Sequence, residues 1–152
     1  MTTIRNYQPA DRAQIMELLR LNTPEFFSPN EEEDLVYYLD NHIEHYYVAE
    51  LDGKVVGSGG INLADDGVTA KLSWDIVHPE QQGKGIGRAL TEFRIQHIKA
   101  MPGLQTISVR TSQLVYPFYQ KFGLEIKEIV EDFWEEGFDM YRMESDVKTT
   151  PD

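Results

Sequence analysis

The chain has 152 residues, no cysteine and a formal net charge of -12. That length suits one domain with a core of its own, and the lack of cysteine removes disulfides, thiolate metal sites and a cysteine nucleophile from consideration. So large a surplus of acid repels nucleic-acid backbones and anionic membranes, and neither is expected as a partner.

The start of the chain reaches Asp11 without an apolar run, and no stretch of about 18 apolar residues follows anywhere. A cytoplasmic protein with no leader and no membrane span is therefore expected. Apolar Ile15, Leu18 and Leu19 recur at helical spacing after Pro9, and Asn22-Thr23-Pro24 ends that helix. Ser28-Pro29-Asn30-Glu31 combines an N-cap serine with a glutamate three residues on, so a second helix carrying Leu35, Tyr38 and Leu39 follows. Residues 46–51 and 54–57 alternate as strands around Asp52-Gly53, which predicts a hairpin with a primed turn.

After a turn at residues 64–67, Leu72 to Val77 form a strand that His78-Pro79 terminates. A long helix from about Gly85 to Met101 comes next, then a strand at residues 106–110 and a short helix from about Tyr116 that Gly123 stops. Residues 128–130 and 138–141 flank Glu135-Glu136-Gly137 as a closing hairpin. One domain over residues 1–147 is expected, followed by a loose tail at 148–152.

Strand, proline, glycines and helix in that order present unpaired backbone N–H groups to an anion. Gly83, Gly85 and Gly87 let a diphosphate approach the backbone. Lys84 and Arg88 add positive charge beside the positive end of the helix dipole. A nucleoside-triphosphate P-loop needs Gly-Lys-Ser/Thr, and the dinucleotide fingerprint needs a glycine where Arg88 stands, so neither fits.

What fits is the pattern Gln/Arg-x-x-Gly-x-Gly/Ala, present as Gln82-Gly83-Lys84-Gly85-Ile86-Gly87 after Val77-His78-Pro79. Downstream, residues 118–124 resemble the Phe-Tyr-x-Lys-x-Gly-Phe segment that follows a fifth strand. On these two segments, and on an element order that agrees through most of residues 3 to 144, the chain resembles the GNAT superfamily of N-acetyltransferases. The resemblance implies an α+β fold whose central mixed, mostly antiparallel sheet is splayed between strands 4 and 5 and flanked by helices. It implies acetyl-CoA as co-substrate, held by the backbone of Ile76 and Val77, by Gln82, Gly83, Lys84, Gly85, Ile86, Gly87 and Arg88, and by Ser112, which stands where many relatives carry asparagine.

The same resemblance casts Val77 as the backbone donor to the thioester carbonyl and Tyr119 as the general acid. A phenol of pKa roughly 10 can protonate a thiolate of pKa near 8.5. The strand-four glutamate that serves some relatives as base aligns with Lys71, which cannot take that role. By strand alternation, residues 71, 73, 75 and 77 share a face, so Asp75 is the candidate base, with Glu25, Glu50 or ordered water as alternatives. The acidic runs Glu31-Glu32-Glu33-Asp34 and Glu131-Asp132 with Glu135-Glu136 read as solvated faces or as a wall for a cationic acceptor. His42 and His45 lack a third ligand and read as a helix surface, so no metal is expected. Phe133 and Trp134 read as hairpin core before acceptor platform.

The expected activity is transfer of an acetyl group to a primary amine, a small molecule or a basic peptide, by direct attack in a ternary complex. The alternative is a non-catalytic acyl-CoA-binding or sensor module on the same fold. Relatives are often dimers, which leaves a homodimer open.

Overall fold

The computed structural model describes residues 2–150. Among these residues seven strands form one sheet in the order β1-β2-β3-β4-β5-β7-β6. They are β1 (Thr2–Asn6), β2 (His45–Leu51), β3 (Lys54–Leu63), β4 (Thr69–Val77), β5 (Thr106–Thr111), β6 (Glu125–Glu135) and β7 (Phe138–Asp146). The helices are α1 (Arg12–Leu21), α2 (Glu31–Asn41), α3 (Ile86–Ala100) and α4 (Tyr116–Gln120). The fold is the expected mixed one. The chain divides into two compact units, Met1–Ile61 with Trp74–Phe93, and Asn62–Ser73 with Arg94–Asp152.

In the first unit, α1 and α2 bury Ile15, Leu18, Leu19, Leu35, Tyr38 and Leu39 in one cluster with Tyr46 and Val48 of β2, Val55 of β3 and Ile76 of β4. The helical spacing in the sequence marks the residues of this seam. The start of α2 is a modified capping box: the Ser28 N–H donates to Glu31 Oε2 at 2.8 Å, while Ser28 Oγ accepts from the Asn30 N–H at 3.2 Å. Asp52 and Gly53, at φ 52° and 80°, make the primed turn, and Leu51 pairs with Lys54 across it. Positive φ at both positions matches the right-handed twist of the flanking strands.

β1 pairs antiparallel with β2 from Thr2↔Leu51 to Asn6↔Tyr47. The sequence did not mark this strand, since Thr2-Thr3-Ile4-Arg5-Asn6 carries one strongly apolar residue and draws its order from the neighbour's ladder. Arg5 on β1 grips the buried Asp11 through two bonds of 2.8 Å and also donates to Glu50 at 2.9 Å.

In the second unit, β5 runs parallel to the first half of β4, from Thr69↔Thr106 to Leu72↔Val109. Parallel neighbours need a long crossover, and α3 lies in the chain between them. The ladder ends at Leu72 although β4 continues to Val77. β7 pairs antiparallel with both β5 and β6. Between Val130↔Met140 and Glu135↔Phe138, residues 131–134 bulge opposite Asp139 alone. Asp132 at φ 52° holds the bulge, accepting from the Gly137 N–H at 2.8 Å and donating its own N–H to Asp139 Oδ1 at 3.0 Å.

Of the tail expected at 148–152, residues 151 and 152 lie outside the described residues. Residues 148–150 turn back on Asp146, and the Thr150 hydroxyl, on a residue 2% exposed, donates to the Asp146 carbonyl at 2.6 Å. Among the described residues no helix is long and apolar enough to cross a membrane.

Candidate functional site

Gly83 and Gly85 have φ of 79° and 89°, conformations that L side chains rarely adopt, and a Cβ on either would meet no atom within 4 Å. These glycines are therefore required by the backbone path and not by crowding from the protein. The Ala89 N–H bonds the Gly85 carbonyl at 2.9 Å, which makes Gly85 the last residue before the helical ladder of α3. The N–H groups of Ile86, Gly87 and Arg88 in the first turn thus have no intrahelical acceptor and carry the positive end of the helix dipole. A loop open above two glycines, with this turn behind it, has the geometry that receives a phosphate.

The charged flanks differ in availability. Lys84 is exposed, whereas Arg88, itself on the surface, pairs with Glu92 at 3.1 Å one turn along α3. Ile86 is 5% exposed and packs its Cγ2 over Gly57 of β3, where an added Cβ would sit 2.9 Å away. The bare backbone of β3 at this position sets how closely the start of α3 can approach the strand.

Gln82 at the head of the loop turns its amide back into the protein. Its Nε2 donates to Asn22 Oδ1 at 2.9 Å and to the Val77 carbonyl at 3.3 Å. Asn22 is 3% exposed, and its Nδ2 donates to the carbonyls of Leu18 at 2.8 Å and Val77 at 3.0 Å. From the sequence, Asn22 read only as the end of α1.

On β4, Ile76 is buried and joins the first unit's core, while Asp75 and Val77 are half-buried. Trp74 has a φ of 49° within the strand, and its carbonyl accepts the Tyr46 hydroxyl at 3.0 Å. That hydroxyl has one hydrogen, so Ser58 Oγ, 3.1 Å away, donates to Tyr46 in turn. Burial along β4 nonetheless keeps its alternation, with Ala70, Leu72 and Ile76 buried and Lys71, Ser73, Asp75 and Val77 less so. Trp74 stacks on Phe27 with rings 6.3 Å apart and 12° from parallel.

Ser112 and Tyr119 belong to the second unit. Ser112 is 7% exposed and ties the entry to α4: its Oγ accepts from the Leu114 N–H at 3.2 Å, and its carbonyl accepts from Val115 and Tyr116, each at 3.1 Å. Tyr119 is 3% exposed, with its ring edge-on to Phe118 at 5.1 Å. Its neighbour Tyr116 stacks instead on Tyr141, with ring centroids 4.8 Å apart.

The other residues singled out in the sequence take the following places. Glu50 is committed to Arg5 at 2.9 Å. Of the first acidic run, Glu31 is 8% exposed and caps α2, and Glu32 pairs with Arg20 at 2.8 Å. His42 follows the last turn of α2 while His45 opens β2, so the two do not share a helix surface. Among the described residues no three histidine or carboxylate side chains stand together as metal ligands. Phe133 is 44% exposed under Arg110, whose guanidinium carbon lies 5.9 Å from the ring centre, and Trp134 Nε1 donates to the Thr111 carbonyl at 3.4 Å.

With this loop, helix and sheet in view, the comparisons agree on the class of protein. The chain belongs to the acetyltransferase (GNAT) family, whose model matches residues 14–124. No curated protein sequence matches it significantly. Among solved structures, a GNAT-family protein from Desulfovibrio desulfuricans superposes with a TM-score of 0.81 at 22% identity, covering 97% of this chain and 99% of the other. The ribosomal-protein-S18-alanine N-acetyltransferase of Escherichia coli superposes with a TM-score of 0.80 at 18% identity, over 100% and 97% of the two chains. An aminoglycoside 6′-N-acetyltransferase in complex with coenzyme A gives 0.78 at 18% identity, over 99% of each chain. At such identities the likeness is one of fold.

Proposed function

We propose that this protein is an N-acetyltransferase that moves the acetyl group of acetyl-CoA to a primary amine, a small molecule or a basic peptide, by direct attack in a ternary complex. The observation that carries the reading is the loop at residues 82–88: two left-handed glycines with open space above them, leading into a helix whose first N–H groups have no intrahelical acceptor. That donor set fits a pyrophosphate. The backbone of Gly83, Gly85, Ile86, Gly87 and Arg88 would hold it, with the Lys84 ammonium beside it.

Acetyl-CoA supplies the thioester, and the residues of this chain do the rest. The Val77 N–H, with Ile76 before it on β4, donates to the carbonyl oxygen where negative charge develops. The neutral amine forms its bond to the carbonyl carbon and the carbon–sulfur bond breaks. Tyr119 gives its phenolic proton to the departing thiolate, and Asp75, directly or through water, takes the proton that the amine loses. Ser112 contributes through the entry to α4. No cysteine exists to carry an acyl-enzyme, which favours direct transfer. The lack of cysteine also suits a reducing cytoplasm.

A non-catalytic acyl-CoA-binding module is the second reading. It is favoured by Lys71 at the position of the strand-four glutamate and by the engagement of Ser112 Oγ with the Leu114 N–H. The deciding experiment measures thiol release from acetyl-CoA across polyamines, aminoglycosides, amino acids and N-terminal peptides, beside calorimetric binding of acetyl-CoA. Acceptor-dependent release supports the enzyme. Binding without release across the panel supports the module, and absence of binding overturns both.

A further inference from the structure

The side chain of Asn22 carries two N–H donors and one carbonyl oxygen. Each is used: the donors go to the carbonyls of Leu18 at 2.8 Å and Val77 at 3.0 Å, and the oxygen receives Gln82 Nε2 at 2.9 Å. The orientation of both amides follows from chemistry, since each Nδ2 or Nε2 faces oxygens that can only accept. The Val77 carbonyl takes a second donor from Gln82 at 3.3 Å. On the other side of the same peptide plane, the His78 N–H donates to the Val56 carbonyl at 2.8 Å. The peptide that leaves β4 is therefore held at both its oxygen and its nitrogen. The backbone carbonyl of Asn22 also accepts from Phe26 at 2.9 Å and Phe27 at 3.2 Å, so one residue, 3% exposed, orders the end of α1, the segment after it, the end of β4 and the head of the glycine loop.

The geometry points to Asn22 as a positioning residue for the cofactor loop, acting through the Val77 carbonyl and the Gln82 amide to aim residues 82–88 at the pyrophosphate. The inference rests on the reading that this loop binds CoA. It also gives Gln82 a different part from ligand contact: both its N–H donors are spent on the protein, and it serves as the strap that Asn22 holds. Preorganisation of this kind lowers the ordering cost of binding without a single added contact to the ligand.

The test is calorimetric titration of CoA into the whole chain and into Asn22→Ala, Gln82→Ala and the double variant, each well below its melting temperature. We expect each single variant to weaken binding by roughly tenfold, the scale of one lost network hydrogen bond. The double variant should be no weaker than the worse single one, because both cut one connection. Backbone amides at residues 83–88 should exchange faster in the ligand-free Asn22→Ala protein. A residue that only stabilised the fold would lower the melting temperature and leave affinity and loop exchange as they were.

Wild-type affinity in both single variants, or losses that multiply in the double one, would overturn the inference while leaving the CoA reading intact. Failure of the unaltered chain to bind CoA would overturn the reading itself and the inference with it. Should Asn22→Ala not fold, Gln82→Ala carries the test, since it cuts the same connection from an exposed residue. Weakened binding and faster loop exchange in that variant support the inference, and unchanged values reject it.

Discussion

Arg5 and Asp11 meet end to end: two guanidinium nitrogens each donate to a separate carboxylate oxygen at 2.8 Å, on an aspartate 4% exposed. The pair fastens β1 to the turn that opens α1, and the Gln8 N–H adds a third donor to Asp11 at 2.8 Å. The hydrogen bonds from Arg5 outweigh the cost of burial and hold the Asp11 carboxyl below the usual carboxylate range. A carboxylate with a depressed folded pKa contributes stability that is complete above its unfolded value of about 4 and is lost as pH falls through the folded value. Asp11→Asn should therefore destabilise the protein by about 2 kcal/mol at neutral pH. The gap between variant and parent should close at acid pH, in chemical denaturation curves recorded from about pH 7 down to 3.

Gly85→Glu should abolish CoA binding, since the new side chain brings an anion to the proposed phosphate position and a Cβ to a backbone at φ 89°. Gly85→Ala separates the two effects. It carries only the backbone strain, of order 1 kcal/mol, and should lower thermal stability while retaining measurable affinity. Full CoA binding by the glutamate variant in calorimetry would remove the loop from the site.

On the proposed mechanism, Tyr119→Phe should reduce turnover on the order of 100-fold with CoA affinity near the parent value, because the phenolic proton donor is lost. Steady-state kinetics with an established acceptor check this, and unchanged turnover would release Tyr119 from the acid role.

Gly57→Val should act at a distance of one side chain. The new Cβ would lie 2.9 Å from Ile86 Cγ2 and 3.1 Å from Leu90 Cδ1, so Ile86 has to turn its side chain or carry the first turn of α3 with it. Overpacking of this sort costs about 1–3 kcal/mol, and a shift of this turn also moves the N–H groups proposed to receive the phosphate. A lower melting temperature together with weaker CoA binding is the expected pair of results. Destabilisation with parental affinity would show that the start of α3 does not follow Ile86.

Glu31→Ala removes the carboxylate that receives the N–H of Ser28, a residue fully buried. The cost should be about 1 kcal/mol, typical of a lost cap, and Glu33→Ala on the exposed side of α2 should cost little. Paired urea denaturation of the two variants distinguishes a capping role from a mere contribution to surface charge.

Features that depend on neighbouring residues are legible in the sequence alone. Asp52-Gly53 specifies a primed turn because both positions need positive φ, and the observed values are 52° and 80°. Ser28 with Glu31 marks the entry to α2 since the bond between them spans three residues. Gly83 and Gly85 mark the loop because almost no other residue accepts their backbone, and the spacing of Ile15, Leu18 and Leu19 follows from the helical repeat. In each case the energy that selects the conformation lies within a few positions along the chain.

Other features had no such local sign. Asn22 and Gln82 stand 60 positions apart, and either amide would read equally well as a surface residue. Trp74 takes a φ of 49° in the middle of an apolar strand pattern, held by the hydroxyl of Tyr46 on another strand. Arg94 in α3 is 1% exposed against every expectation for a charged side chain. Backbone preference and apolar periodicity are short-range quantities that the order of residues states directly. A long-range hydrogen bond forms only where the packed sheet and helices bring two polar groups together and shut out the water that would otherwise satisfy each of them, so its partners appear only once the chain has folded.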